Sequence, residues 1–270
     1  MLLGPGFFTA LARAFERVPE LFCATAQIRF PAGMRREETG KAVMAQAHPE
    51  DFPIRCDEPL EGEDLTWVLY GSGGCSLYDA ARLRMLGGVD EAYAPAYVED
   101  LDLGYRAWQR GWPSVYVAGA VVEHRHRATT SRYYTDEQLA GILEVNYLRF
   151  LARAVSDPIV FRRLWRQALD RLRAARGPAL RKAAGLALRG GPGERPAYSE
   201  ELFLALTNGD VAVFPGRAGS GESLVMLADR LGPPAPETLA GHVEVVVVRH
   251  GNEAARRAAM ELTARKWRGR

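Results

Sequence analysis

Cysteine is scarce in this sequence, and it has neither a long apolar run nor a strong excess of one charge. The three cysteines, Cys23, Cys56 and Cys75, are an odd number without paired spacing, which argues against a disulfide framework and a cysteine-rich zinc site. No apolar run reaches the roughly 18 residues that a membrane span needs. The first residues lack the basic segment and cleavage site of a signal peptide. These absences predict a cytoplasmic protein in a reducing compartment.

The charge balance excludes a further class of protein. Lys and Arg number 35 against 33 Asp and Glu, so the net charge is only +2, whereas dedicated nucleic-acid binders carry a strong basic excess. We therefore expect no nucleic-acid partner. Gly-x-Ser-x-Gly, His-Glu-x-x-His and Cys-x-x-Cys are absent, which removes the usual hydrolase and zinc signatures. With 47% hydrophobic and 25% charged residues over 270 positions, the composition is that of one or two globular domains.

Strand and helix patterns alternate along the first 155 residues, which predicts an α/β fold. Residues 31–64 lack clear periodicity and are predicted to form a long loop. The predicted helices are Phe7–Val18, 77–86, a helix that starts after Glu99-Asp100 and stops at Gly111-Trp112-Pro113, and one that begins with a capping box between Thr135 and Gln138. The predicted strands are Leu21–Ile28, Thr66–Tyr70, Ser114–Val117 and Val121–His124.

The sequence changes character after residue 155. Residues 157–190 hold nine Lys or Arg against two Asp, with an apolar helical face that includes Phe161, Leu164 and Trp165. This basic amphipathic helix (156–193) either lies on an anionic membrane surface or packs on the domain with its arginines in water. Beyond it, residues 194–270 predict a small α/β tail, a candidate for the start of a second domain. Its predicted elements are strand Asp210–Phe214, helix Ser223–Leu231, strand Val243–Val248 and helix Asn252–Trp267.

Acidic residues at a helix start follow a glycine-rich strand end, and together they suggest chemistry. Gly73 and Gly74 lie in the strand end Gly71-Ser72-Gly73-Gly74, and Glu99, Asp100 and Asp102 open the helix that also carries Arg106. The helix dipole keeps a carboxylate at such a place ionised, so that it can accept a proton from a hydroxyl nucleophile. For an isolated Glu-Asp pair, plain helix capping is the more common explanation, and only an ordered series of motifs favours a catalytic role.

The ordered series of motifs resembles the C-terminal half of the catalytic domain of family 2 glycosyltransferases, which have the GT-A fold. The glycine-rich strand end is followed by Gly87-Gly88-Val89-Asp90-Glu91, where the family usually has Phe in place of Val89. Next come Glu99-Asp100-Leu101-Asp102-Leu103-Gly104-Tyr105-Arg106, the turn Gly111-Trp112, and a strand that ends at His124. The resemblance covers about residues 5–155 and implies a partial GT-A, Rossmann-like domain (1–155).

The resemblance also implies roles for individual residues. Asp100 corresponds to the general base of an inverting transfer from a nucleotide-sugar donor to a glycan or lipid-linked acceptor. Glu99, Asp102 and Arg106 would shape the acceptor side, and Gly73 and Gly74 would admit the sugar closely. His124 matches a histidine that can lie near the metal. For the complete enzyme the resemblance implies a divalent metal, Mn²⁺ or Mg²⁺, and a place in bacterial cell-envelope polysaccharide biosynthesis at the inner face of the membrane.

One departure from the family pattern concerns the nucleotide-binding half, and it lowers the activity that we expect of this chain alone. The family begins with a nucleotide-binding half that ends in a metal-holding Asp-x-Asp, and Pro5-Gly6 corresponds to the family segment just after that motif. Asp100-x-Asp102 belongs to the other motif and is not counted as that metal site. We therefore expect a fragment with little or no activity alone.

Two other functions remain open from the sequence. The chain could be a non-catalytic module that binds a glycan or a partner chain through the same acceptor face. The stretch Gly216–Ser223 has the spacing of a phosphate-binding loop, which would suit a nucleotide-binding switch. Glu222 stands where that loop needs its lysine, however, and a carboxylate there would repel phosphate. A loop between two strands is the favoured interpretation.

Overall fold

The computed structural model describes residues 1–31, 61–124, 130–175, 197–217 and 222–268, of which 171–175 and 265–268 are described by their backbone alone. In these ranges the helices are α1 (Phe7–Arg17), α2 (Ala80–Met85), α3 (Glu99–Gln109), α4 (Asp136–Ala154), α5 (Pro158–Ala175), α6 (Glu200–Leu206), α7 (Pro236–Leu239) and α8 (Glu253–Arg268). The strands are β1 (Leu2–Leu3), β2 (Cys23–Arg29), β3 (Leu65–Val68), β4 (Ser76–Tyr78), β5 (Ser114–Glu123), β6 (Val211–Pro215), β7 (Ser223–Ala228) and β8 (Glu244–Arg249). The predicted α/β class is confirmed.

The larger sheet is built around the parallel pair β2 and β5. Its order is β1-β5-β2-β4, and β3 pairs antiparallel with the first part of β5 while β1 pairs with its last residues. Residues 23–28 of β2 are all buried, as expected of a central strand covered on both faces. The residues that follow β3 in the chain, including the loop before β4, lie beside β2. The candidate site forms there.

The second sheet, in the order β6-β8-β7, belongs to the C-terminal tail (194–270). One of its faces packs Val211, Val213 and Val246 into the same hydrophobic core that holds β2 and α3. The opposite face forms a separate cluster of Ala212, Phe214 and Val245. The two sheets also meet through a hydrogen bond from the Asp64 backbone N–H to the Val213 carbonyl (3.2 Å).

Helix α6 joins the tail to the first 155 residues. The Phe203 ring is fully buried and stacks on Trp108 of α3, with ring centroids 5.7 Å apart. The carboxylate of the buried Glu200 accepts hydrogen bonds from the Gln109 side-chain amide (2.7 Å) and from the Ser156 backbone N–H (2.7 Å). In the described residues, the tail therefore shares its core with the first 155 residues.

The structure corrects several predicted elements. Leu77 lies in strand β4, and helix α2 begins only after Asp79, whose side chain caps the Arg82 N–H (2.9 Å). The predicted helix Ser223–Leu231 is wrong: the short apolar run forms β7, because pairing with β8 decides between two structures that periodicity cannot separate. The two strands predicted between Ser114 and His124 are one strand, which bulges over 118–120.

Other predictions agree or fall outside the described ranges. The capping box between Thr135 and Gln138 is confirmed. The basic helix is described over α5, while residues 176–196, most of the predicted loop 31–64 and Cys56 lie outside the described residues. Cys23 and Cys75 are buried, and in the part of the chain that the structure describes neither forms a disulfide. Among the described helices, none combines the length and apolar character that a bilayer span requires.

Phe203→Ala tests the shared core. Removing this buried ring should destabilise the whole chain by about 3–5 kcal/mol in a single unfolding transition, because a cavity opens between α3 and α6. Phe8→Ala is the control, since the Phe8 side chain is 66% exposed, and it should change the stability by less than about 0.5 kcal/mol. Urea unfolding followed by circular dichroism measures both. Two separate transitions, with only one shifted by Phe203→Ala, would contradict the shared core.

Candidate active site

The structure brings Asp100 and Gly73 together, although 26 residues separate them in the chain. The backbone N–H of Gly73 points to the Asp100 Oδ2 atom at 3.4 Å, and the Leu101 N–H donates to Oδ1 at 3.0 Å. Asp100 is half-buried at the first turn of α3. Such a carboxylate is held by backbone donors and the helix dipole and still borders the surface. The acidic helix start and the glycine-rich strand end, the two features singled out in the sequence, therefore meet.

The loop Gly71–Cys75, here called the glycine loop, is anchored on β2 by hydroxyl groups. The Ser72 N–H donates to the Thr25 Oγ1 atom (3.2 Å), and the Ser76 hydroxyl contacts both Thr25 Oγ1 (2.8 Å) and the Ser72 carbonyl (2.6 Å). Thr25 is fully buried, so these contacts are shielded from water. Gly73 is the central residue of this loop. Among the described residues, no atom lies within 4 Å of the place a Gly73 Cβ would take.

Gly104 fixes the distance between α3 and the glycine loop. A Cβ at Gly104 would lie 2.6 Å from the Leu69 carbonyl oxygen and 2.7 Å from the Tyr70 Cα, both backbone atoms. Four residues farther along α3, the Trp108 indole N–H donates to the Val68 carbonyl (2.9 Å). The helix therefore lies directly against the segment that leads into the glycine loop, and its first turn reaches Gly73.

The backbone just before α3 is strained. Tyr97 and Val98 have φ angles of 72° and 78°, in the left-handed region that a β-branched residue such as Val strongly disfavours. The buried side-chain amide of Asn146 holds this segment, because its nitrogen lies within 3.0 Å of the carbonyls of Tyr93, Ala96 and Tyr97. Asn146 was not predicted as a site residue. Its signal in the sequence is only a polar residue on the buried face of a helix.

Asp102 and Arg106 form a network behind the site. The Arg106 guanidinium pairs with Asp102 (Nε to Oδ2, 2.7 Å) and donates to the carbonyls of Leu86 (2.8 Å) and Gly88 (3.0 Å). The Tyr93 hydroxyl donates to the other Asp102 oxygen (3.0 Å). Burial raises the pKa of Asp102, and the adjacent Arg106 opposes that rise. The pair thus ties the Leu86–Gly88 turn to α3, with Asp102 only 3% exposed.

Glu99 carries the least satisfied carboxylate of the helix start. Among the described residues, none donates a hydrogen bond to its Oε2 atom, which is shielded from solvent. Burial raises the pKa of Glu99. A hydrogen bond from the Glu99 backbone N–H opposes this rise of the pKa, but burial has the larger effect, so the charged form is disfavoured in the folded protein.

The described residues do not fit a divalent metal centre. Asp100 and Asp102 hold separate partners and do not converge, and the described ranges contain no group of three His, Cys, Asp or Glu side chains that could hold an ion. His124 follows the end of β5, where its backbone N–H donates to the Arg29 carbonyl (2.8 Å). Its predicted place near a metal stays a prediction.

Comparison of the sequence with known proteins shows which enzymes this chain is similar to. No model of a known protein family matches the chain. Proteins from two strains of Mycobacterium tuberculosis, each an N-acetylglucosaminyl-diphospho-decaprenol L-rhamnosyltransferase, are 44% identical over 143 residues, which cover 48% of this chain and 45% of each relative. Over about half its length, the chain is homologous to a glycosyltransferase. The chain thus spans less than half the length of the curated relatives it matches.

Among solved structures, a crystal structure of GalNAc-T7 with UDP, GalNAc and Mn²⁺ overlaps 70% of this chain and 36% of that protein. The TM-score is 0.45 and the sequence identity 13%.

Gly104→Ala tests the close approach that sets the site. The added methyl group meets backbone atoms that cannot rotate away, so we expect a loss of about 2–3 kcal/mol of stability. Gly141, in the interior of α4, is the matched control: among the described residues, none lies within 4 Å of its added Cβ. Gly141→Ala should stabilise the chain by about 0.5–1 kcal/mol. Equal effects of the two substitutions in thermal unfolding would contradict the close approach.

Glu99→Gln tests the burial of the Glu99 carboxylate. A raised pKa means that the folded state binds the proton more tightly than the unfolded state, so the ionised carboxylate costs stability above that pKa. Glu99→Gln should therefore be more stable than the natural chain at pH 7, by on the order of 1 kcal/mol or less. The difference should vanish as the pH falls below the ordinary glutamate pKa, which unfolding curves at a series of pH values will show. A loss of stability at pH 7 would refute this burial effect.

Proposed function

We propose that this chain carries the acceptor-side part of an inverting, family 2 glycosyltransferase, with Asp100 as the general base. The observation that carries the proposal is the half-buried Asp100 carboxylate at the start of α3, facing the Gly73 N–H at the edge of an open space. The 44% identity to a rhamnosyltransferase supports the same conclusion. A purely structural cap would not require the glycine loop, which Thr25 anchors on β2, to bring the Gly73 N–H to the same carboxylate.

In the proposed reaction, an acceptor hydroxyl donates a hydrogen bond to Asp100. Asp100 takes its proton as the oxygen attacks the anomeric carbon of the donor sugar, and the bond from that carbon to the diphosphate breaks. The nucleotide diphosphate leaves with the bonding electron pair, and the configuration at the anomeric carbon inverts. The Gly73–Asp100 contact of 3.4 Å is long for a hydrogen bond, so an acceptor hydroxyl can replace it at low cost.

Each remaining site residue has a proposed part in this arrangement. Gly73 and Gly74 leave space for the sugar beside the base. Asp102 and Arg106 are positioning residues, because they fix the turn Leu86–Gly88 against α3. Glu99 shapes the acceptor side next to the base.

The diphosphate of the donor gains negative charge as it leaves, and this charge must be stabilised. We propose that the complete enzyme uses a divalent metal, Mn²⁺ or Mg²⁺, near His124, which would stabilise the charge that develops on the diphosphate. We also propose that the 270-residue chain alone has little or no transferase activity.

The substrates are proposed from the relatives. Those enzymes are rhamnosyltransferases that act on an N-acetylglucosaminyl-diphospho-decaprenol. We propose nucleotide-activated L-rhamnose as the donor and a polyprenyl-diphosphate-linked N-acetylglucosamine as the acceptor. This reaction belongs to the synthesis of bacterial cell-envelope polysaccharide on the cytoplasmic side of the membrane.

Asp100→Asn tests the base. The substitution keeps the shape of the side chain and removes its proton affinity, so transfer should fall at least about 100-fold. Radiolabelled sugar transfer to a short-chain N-acetylglucosaminyl-diphospho-prenol is measured with the chain alone and with the chain joined to the N-terminal half of the mycobacterial relative. Asp229→Asn, which removes an exposed carboxylate of the tail, is the control for charge.

The outcomes separate the candidate functions. Loss of transfer in Asp100→Asn with an unchanged melting temperature supports the base assignment. Full activity of Asp100→Asn refutes it. If the chain alone and the joined chain both bind the acceptor and neither transfers the sugar, a non-catalytic glycan-binding module is favoured instead.

A further inference from the structure

Helix α5 has an inner face that belongs to the core and an outer face that is exposed. Val160, Leu164 and Ala168 are buried in the same cluster as β2 and α3. On the outer side, the Ile159 side chain is 63% exposed, and Arg162 and Arg166 are exposed as well. The hydrophobic inner face already explains why α5 packs on the domain. The outer face needs a separate explanation, because it mixes a large exposed apolar residue with arginines.

A half-buried ridge runs along the border between these two faces. Phe161, Trp165 and Leu169 are spaced by four residues, so they form one row along the helix. The Phe161 and Trp165 rings stack with centroids 5.3 Å apart. Together with the arginines beside them they line a surface groove of about 390 Å³. These three apolar side chains are partly packed against the core, and the exposed part of each is available to a partner.

The arginine row lies directly beside this ridge. Arg162 and Arg166 each follow a ridge residue by one position, and Arg162 also donates to the Pro158 carbonyl (2.9 Å). Acidic side chains near this face offset it only partly: Arg163 pairs with Glu201 (3.1 Å), and Asp170 lies at the end of the groove. Residues 157–190 are the most basic segment of the chain, and the other residues together carry a net negative charge.

We propose that the outer face of α5 docks on an anionic lipid bilayer, with the Phe161–Trp165–Leu169 ridge at the level of the head groups. Tryptophan favours this level, since one edge of its ring is apolar and the other can donate a hydrogen bond. Arg162 and Arg166 pair with lipid phosphates while their apolar stems cover the ridge. A symmetric contact with a second copy is disfavoured, because it would bring the same arginine row against itself. The inference does not depend on the transfer reaction, although it would place the protein beside a lipid-linked acceptor.

Vesicle binding tests the docking surface. The full chain should co-sediment with vesicles of phosphatidylcholine and phosphatidylglycerol and much less with phosphatidylcholine alone. The double variant Arg162→Gln/Arg166→Gln should bind the anionic vesicles about 30-fold more weakly, from the usual contribution of an arginine near an anionic surface. The matched control, Arg13→Gln/Arg84→Gln, removes the same charge from exposed positions elsewhere and should bind like the natural chain.

Bromine-labelled lipids locate the contact. They should quench tryptophan fluorescence of the natural chain, and Trp165→Phe should lose that quenching while it still binds the vesicles. Equal binding of both double variants would overturn the proposal, as would quenching that survives Trp165→Phe. A concentration-dependent dimer that is abolished by Arg162→Gln/Arg166→Gln, without any vesicle binding, would assign the face to a second copy instead.

Discussion

The contact between α3 and the segment Leu69–Tyr70 is the constraint on which the candidate site depends. Only glycine at position 104 allows the helix backbone to lie this close, since a side chain there would meet backbone atoms. The close approach carries the first turn of α3 to the glycine loop, so that Asp100 faces Gly73. Other features hold each side of this contact: Thr25 anchors the loop, Trp108 ties the helix to β3, and Asn146 holds the strained residues before it.

Rigid support of this kind suits a base that must meet a hydroxyl without moving. The polar side chains of Thr25 and Asp102 are buried and hydrogen-bonded under the site, which preserves a single arrangement and shields it from water. Asp102 and Arg106 have a different role from Asp100. Both belong to the acidic helix motif, yet they lie behind the site and fix a turn, while the half-buried Asp100 is placed to meet a substrate. The tail contributes to the same frame, because Phe203 and Glu200 pack against the far end of α3.

The sequence was enough to predict the α/β class, most elements of the first 155 residues and the two segments that meet at Gly73 and Asp100. It failed where long-range contacts decide. The run Ser223–Ala228 has no periodicity that distinguishes helix from strand, and only its pairing with β8 makes it a strand. Asn146 and Gly104 were not predicted as site residues, because their roles arise from neighbours that are distant in the chain. The shared core of the tail depends on α6, a seven-residue helix too short for a clear pattern.

A crystal structure of the protein with a short-chain N-acetylglucosaminyl-diphospho-prenol would test the central assignment most directly. We predict that the acceptor hydroxyl binds within hydrogen-bond distance of an Asp100 carboxylate oxygen and displaces the Gly73 N–H contact. An acceptor bound elsewhere, with Asp100 still closed on Gly73, would contradict the account and leave this carboxylate as a helix cap.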